Sequence, residues 1–416
     1  MSRSRRPLSA AASPGDYVVI VVNTDRYDLT KSETWALRVD PTARDGAAEP
    51  GLLATSNEAY REGPYAKAFY EDAGVPGATE RAAIDARIAS APDNKWIAIT
   101  PPRVPAFNVD WGTAVFDVDH GAMLRWSGGH SAYPGNNVLL YRPSTNRYDI
   151  SDRPEFLVDQ CYANGGITGW TPRGRPFMQG HSWKMYAYSP RLARMVLHGE
   201  PFTYFFDPVT NEFDRTRLTQ AMGTGHSNML VAVPSGVLAW TRTGFWKLEA
   251  IAGPWARVTT TGPTVPAPFG DTSAVVYDSM RNRLLLVPDG NAQVFALDVA
   301  TNQVTALAPS GRADMMANGP KSHLRESLYL AGDDVTVVFA SYAYSTANPN
   351  QVPVYDGATN RWYAYTIDTT DLRERYGNSF AVVWDPTHQR IWGFGQRNAV
   401  YLLKFDKQTA TKVPLD

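Results

Sequence analysis

The feature that most constrains this chain is a repeated unit made of two strand pairs. The first pair reads strand, tight turn, strand and glycine, and it occurs at residues 110–129, 181–199, 271–290 and 378–395. A second pair follows it, at residues 137–150, 204–215, 294–307, 352–367 and 401–413. Thr-Asn recurs in the turn of the second pair, where asparagine tolerates the left-handed backbone of a short hairpin. The repeated unit is therefore four short antiparallel strands, which we label a to d.

A period of roughly forty to fifty residues with four strands per unit is typical of a β-propeller blade. Six units are visible from about residue 108 onward, and NKWIAIT (94–100) matches a fourth strand. Two further strands, YVVIVVN and TWALRVD, precede it and suggest a partial seventh unit. We therefore predict an all-β, seven-bladed propeller over residues 16–416, with a disordered segment at 1–15 and a short helical insertion at about 56–91.

Composition sets limits on partners and compartment. The chain has 416 residues, with 40 basic against 41 acidic side chains, and this balance predicts neither a nucleic-acid nor a membrane partner. The single cysteine, Cys161, excludes an internal disulfide framework. The first residues lack the apolar run of a signal peptide. We expect a monomer, and we suspect an extracellular or periplasmic location although no signal peptide is visible.

The repeat places histidines at one end of the ring. Counting back seven residues from the end of strand a gives an equivalent position in every blade, and three of these positions are His181, His226 and His323. Strand a is innermost in a propeller, so its beginning lies at the mouth of the central channel. The loop between strands b and c emerges on the same face, and it is predicted to carry His130 and His198. Five of seven histidines are thus expected on one face.

Other polar and aromatic residues are expected near these histidines. They are Asp110, Tyr133, Asn136, Trp183 and Arg325. The remaining histidines, His120 and His388, fall in a–b turns on the opposite face and are interpreted as solvated turn residues. A histidine beside strand a can equally be a structural staple that bonds to the backbone of the next blade, because buried polar groups are usually satisfied.

The chain resembles kelch-type propellers of the galactose-oxidase-like kind in the Gly-Gly ending of strand b, the YDP-type turn and the Thr-Asn-x-Trp start of strand d. It is also similar to the propeller polysaccharide lyases, the ulvan lyases and rhamnose–glucuronate lyases. In those enzymes one blade carries a histidine at the beginning of strand a and a second in its b–c loop. The matching pair here is His181 with His198, while Asp110 stands beside His130 in the preceding blade.

This resemblance implies β-elimination on a uronic-acid-containing polysaccharide or oligosaccharide. Histidine suits the proton transfers because its pKa lies near the working pH. We assign His181 as base and His130 as acid, with Tyr133 and Arg325 assisting in catalysis. The expected substrate-binding residues are His198, His226, His323, Asp110, Asn136 and Trp183.

Two other interpretations stay open. A copper radical oxidase would need a Cys–Tyr cross-link, for which only Cys161 is available, with Tyr162 beside it. A non-catalytic propeller could bind a glycan or a protein through the same face. No cofactor is predicted with certainty, although a divalent metal such as Ca or Zn could bind, with zinc held by histidines.

Overall fold

The computed structural model describes residues 15–22, 32–39, 51–55, 75–104, 112–126, 137–149, 175–176, 182–216, 218–223, 228–251, 253–269, 273–288, 293–311, 326–339, 350–373, 380–395 and 398–415. The chain forms two compact units, Met1–Glu71 and Asp72–Asp416. In the first unit, strands β1 (Gly15–Val22), β2 (Ser32–Val39) and β3 (Gly51–Thr55) form an antiparallel sheet in that order. The strands that the sequence suggested for a seventh blade therefore pair with each other.

The second unit contains six antiparallel blades, I to VI, with strands in the order a to d. Blade I contains β5 (Val115–Asp117), β6 (Ala122–Trp126), β7 (Val138–Arg142) and β8 (Arg147–Asp149). Blade II contains β9 (Tyr186–Ser189), β10 (Arg194–Gly199), β11 (Phe202–Asp207) and β12 (Glu212–Phe213), with β13 (Leu218–Thr219) also paired to β11. Blade III contains β14 (Met229–Val233), β15 (Gly236–Thr241), β16 (Gly244–Leu248) and β17 (Ala256–Val258).

Blades IV to VI follow the same plan. Blade IV contains β18 (Ala274–Asp278), β19 (Arg283–Val287), β20 (Phe295–Asp298) and β21 (Val304–Ala306). Blade V contains β22 (Glu326–Leu330), β23 (Val335–Phe339), β24 (Gln351–Asp356) and β25 (Arg361–Thr366). Blade VI contains β26 (Ala381–Asp385), β27 (Arg390–Phe394), β28 (Val400–Leu403) and β4 (Trp96–Ile99).

The ring closes with six blades, so the prediction of seven is wrong. The innermost strands contact one another in the order β5, β9, β14, β18, β22 and β26, and β26 contacts β5. Strand β4 pairs antiparallel with β28 and supplies strand d of blade VI. The assignment of 94–100 as a fourth strand is confirmed, but the strand completes the last blade of the ring. Because that blade takes its outer strand from before blade I, the sequence alone suggested an extra unit.

The segment 401–413 also differs from its predicted c–d hairpin. Strand β29 (Lys412–Pro414) pairs with β25, as a fifth strand of blade V. The outer edge of β28 is already paired with β4, so the chain extends the neighbouring sheet instead. The Lys412 ammonium lies 3.5 Å from the ring centroid of Tyr363, a cation–π contact that helps to hold this edge.

Turns and core follow from the repeat. The asparagines of the Thr-Asn turns have positive φ, as predicted: Asn146, Asn211, Asn302 and Asn360. Large aromatic side chains fill the space between blade faces, and six tryptophans among the described residues are almost fully buried.

Helix α1 (Ala78–Ala89) confirms helical structure in the predicted insertion, whose residues 56–74 lie outside the described part. It packs on blade VI, where Arg390 Nε donates to the Ile88 carbonyl over 3.2 Å.

Candidate functional site

The six innermost strands surround a central channel that has two different ends. We call the end where strands a begin the start end, represented by Thr113, Lys184 and Glu326. The opposite end, where the a–b turns lie, is the turn end. A cavity of about 350 Å³ lies in the channel, and residues of all six innermost strands line it.

Most of the predicted site residues fall outside the described part of the chain. These are the catalytic candidates His130, Tyr133, His181 and Arg325, and the binding candidates Asp110, Asn136, His226 and His323. Cys161 and Tyr162 are also outside it. The roles given to these residues stay predictions. His198 and Trp183 are described.

His198 lies within strand b of blade II rather than in the loop after it, and it has no exposed surface. Its Nδ1 lies 2.9 Å from the Thr203 hydroxyl and its Nε2 lies 3.1 Å from Glu200 Oε2. The Trp255 indole N–H also donates to Thr203 over 2.9 Å. Because a carboxylate only accepts, Nε2 of His198 donates to Glu200, and in the neutral ring Nδ1 accepts from the Thr203 hydroxyl. This network links strands b and c of blade II to Trp255, which follows β16.

Trp183 is also enclosed. It is buried, it has a positive φ of 22°, and it forms an isolated bridge with Gly112. This bridge joins the residues that precede strand a in blades I and II. Its neighbour Ser182 is fully buried and donates to the Trp126 carbonyl over 3.4 Å. The chain beside the predicted base is therefore anchored to blade I.

The start end contains an ion pair that the sequence reasoning missed. Lys184 of blade II and Glu326 of blade V lie on opposite sides of a six-bladed ring, and their Nζ and Oε2 atoms are 3.6 Å apart. Lys184 Nζ also donates to the Ser327 hydroxyl over 3.1 Å. Both charged side chains are buried, with 10% of the lysine and 3% of the glutamate side chain exposed. The pair therefore spans the channel and bounds its cavity.

Burial shifts both titrations toward the neutral forms. It lowers the pKa of Lys184, and the charge of Glu326 opposes that shift. Burial likewise raises the pKa of Glu326, while Lys184 and the Thr113 side chain act in the other direction. Burial disfavours the charged form of each group, and the opposite charge of its partner partly offsets that cost. The ionisation of each group therefore depends on the other.

A charge pattern in the sequence could have indicated this pair. Lys184 follows His181 by three residues, and Glu326 follows His323 by three residues. Two opposite charges can meet across the channel when their blades are half a ring apart and both lie at a similar distance from the beginning of strand a. Such a test needs the correct number of blades, and a seven-bladed ring has no opposite blades.

The turn end carries the two histidines that were interpreted as solvated turn residues. His120 is exposed and its Nδ1 lies 2.7 Å from Asp117 Oδ2; His388 is half-buried and its Nδ1 lies 2.6 Å from Asp385 Oδ2. The two aspartates are buried at the ends of their strands. The hydrogen bond to Asp385 raises the pKa of His388, and burial partly opposes this shift.

Neither a metal site nor a membrane segment is visible in the part of the chain that the structure describes. There, no three His, Cys, Asp or Glu side chains are arranged to hold a metal ion. Among the same residues, no helix has the length and apolarity that crossing a bilayer requires.

Comparison with known proteins adds little to the assignment of the fold. No family model matches the sequence, and no curated protein matches it. Among solved structures, a gluconolactonase from Xanthomonas campestris aligns with a TM-score of 0.43 and 11% identity, over 76% of this chain and 99% of that chain. At this level of similarity, the fold assignment rests on the strand pairing of the chain itself, which makes it a six-bladed β-propeller.

Proposed function

We propose that this protein is a polysaccharide lyase that cleaves a uronic-acid-containing glycan by β-elimination at the start end of the channel. The observation that carries the proposal is the meeting of Lys184 and Glu326 from opposite blades. His181 and His323 each precede one of these residues by three positions, and three residues of chain span about 10 Å at most. Chain connectivity thus favours a shared location for these two histidines.

The reaction requires no cofactor to balance. A base, assigned to His181, removes the C5 proton of the uronate, and the electron pair forms the C4–C5 double bond as the C4–O bond breaks. An acid, assigned to His130, protonates the departing oxygen. Arg325 would offset the sugar carboxylate and Tyr133 would assist proton transfer. The resemblance to kelch-type propellers and the similarity to propeller lyases support this proposal.

Incubation with a panel of uronate-containing polysaccharides tests it. The lyase proposal predicts unsaturated products that absorb in the near ultraviolet. His181→Ala should abolish turnover and leave the melting temperature almost unchanged. His120→Ala is the matched control, because this histidine lies at the turn end and should be dispensable for cleavage. Loss of melting temperature with retained turnover in His181→Ala would instead identify a structural staple.

A binding propeller is the second candidate, and the surroundings of His198 favour it. This histidine was expected to contact substrate, yet both ring nitrogens bond within blade II and the ring packs against Trp255. If the other histidines are used similarly, the face recognises a glycan or protein without cleaving it. Retarded migration in a glycan-containing gel, with no unsaturated product from any polymer, would support this candidate and contradict the lyase.

A further inference from the structure

Aromatic side chains form a collar at the turn end of the channel. The residue before the last one of strand a is aromatic in five of six blades, and alanine takes this position in blade III. The collar consists of Phe116, Tyr188, Tyr277, Tyr329 and Trp384, all of which line the channel cavity. Tyr188 is buried and the other four are half-buried. All six a–b turns at this end belong to the described residues.

The tyrosines of the collar are held by their hydroxyl groups. Tyr188 donates to Asp119 Oδ2 over 2.6 Å, which joins blade II to the turn of blade I. Tyr329 donates to Asp334 over 2.9 Å within its own blade. These bonds leave the rings, rather than the hydroxyl groups, to line the cavity. The tyrosine rings of the collar therefore have fixed positions at the turn end of the cavity.

The far end of the same cavity is charged. Lys184, Glu326 and Ser327 line it together with the collar. In strand β22 Tyr329 follows Glu326 by three positions, which corresponds to about 10 Å of extended chain. A cavity of about 350 Å³ is within the range of sites that take small organic ligands, which are commonly apolar with a few polar groups.

We propose that the channel is a second binding site, entered at the turn end, for a small aryl carboxylate whose ring lies in the aromatic collar and whose carboxylate binds Lys184. A ligand of about 10 Å, with a ring at one end and a carboxylate at the other, matches the separation of collar and lysine. Lys184 and Glu326 bound both this site and the start end where cleavage is proposed, but the aryl carboxylate enters at the turn end and its binding needs none of the histidines assigned to the lyase.

The arrangement of charges favours an anionic ligand over an organic cation. Two acidic groups near the collar already have partners: Arg281 binds Asp334 through two contacts of 2.6 Å, and His120 binds Asp117. The 3.6 Å separation of Lys184 and Glu326 is longer than the roughly 2.7–2.9 Å of a strong charge-assisted hydrogen bond. The ammonium can therefore donate to a ligand oxygen as well.

Glu326 determines how tightly such a ligand binds. Its carboxylate lies beside the proposed position of the ligand carboxylate and repels it when both are ionised. Glu326→Gln keeps the shape and removes that repulsion, so it should strengthen binding. Replacing the lysine as well removes the cation that attracts the ligand, so the double variant should bind about ten- to a hundredfold more weakly than Glu326→Gln. Using the double variant avoids leaving Glu326 charged and unpaired.

Calorimetric titration with phenylpropanoate tests the proposal on the full chain. Binding should tighten in Glu326→Gln, weaken in Lys184→Met/Glu326→Gln, and weaken in Trp384→Ala. Trp246→Ala is the matched control for Trp384→Ala and should leave binding unchanged, because it removes a half-buried indole from strand c of blade III, outside the cavity lining. The melting temperature of each variant checks that it is folded.

Two neutral or cationic analogues separate the alternatives. Phenylpropanamide should bind more weakly than phenylpropanoate to the unmodified protein and should respond little to Glu326→Gln. Equal binding of the amide, tighter binding of phenylpropylammonium, or no heat with phenylpropanoate at millimolar concentration would each overturn the proposal. Because no polysaccharide is used, these results are independent of whether the protein is a lyase.

Discussion

The two ends of the channel are built from the same six strands but differ in polarity. At the turn end five blades present an aromatic side chain at one repeated position. At the start end the corresponding region differs from blade to blade, with Thr113, Lys184, Asn228, Ser273 and Glu326 among its members, all of them buried. The ring of aromatic side chains thus arises at a position where most blades have the same type of residue. The Lys184–Glu326 pair arises at positions where two blades differ from the others.

The largest effect is expected at the start end, from Lys184→Met. This change leaves the Glu326 carboxylate buried without its cation, and unfolding in urea at pH 7 should show a loss of about 3–5 kcal/mol. Lys184→Met/Glu326→Gln should recover most of that loss, because no uncompensated charge remains. Equal destabilisation by the single and double variants would show that packing, rather than charge, matters at this end.

A smaller effect is expected at the turn end, from Tyr188→Phe. The hydroxyl bonds to Asp119, whose exposed carboxylate can bond to water once the phenol is lost. Urea unfolding should therefore reveal a loss of only about 0.5–1.5 kcal/mol. Tyr329→Phe is a suitable comparison, since its hydroxyl bonds within one blade. A loss in Tyr188→Phe as large as that of Lys184→Met would remove the contrast between the ends.

The smallest effect concerns His388, whose folded-state pKa is raised by Asp385. A raised pKa means that the protonated form is preferred in the folded protein, so this contribution is complete below the unfolded pKa of about 6.5. It is lost as the pH rises through the higher folded value. Between about pH 5.5 and about pH 8.5, the free energy of unfolding should fall less in His388→Gln than in the unmodified protein. An unchanged pH dependence would contradict this linkage.

The sequence was sufficient to predict the four-stranded blade but not the way in which the ring closes. Alternation of apolar residues, Thr-Asn turns and the strand order predicted β-structure, and the match of 94–100 to a fourth strand was confirmed. Where that strand pairs depends on which edge is open after the whole ring has formed, and local pattern carries no such information. The same limit applies to β29, whose partner β25 is in the preceding blade.

The site was harder to predict because the repeat register had to be known to one residue. Counted from the last residue of strand a, His181 lies eight positions back, whereas His226 and His323 lie seven back. A shift of one residue reverses the face on which a strand side chain lies. Lys184 and Glu326 were missed for a related reason, since their meeting depends on a ring of six and not on either local sequence.

Strand β4 has a consequence for how the molecule is made. It is synthesised before any complete blade, yet its partner β28 comes about three hundred residues later along the chain. Until β28 is synthesised, the backbone groups of β4 have no strand to pair with. The surfaces through which blades I and VI finally contact each other also stay exposed to solvent until the ring closes. Joining is therefore a late, long-range event, of the kind that slows folding. We expect nascent chains that stop short of β28 to be the form most dependent on chaperones.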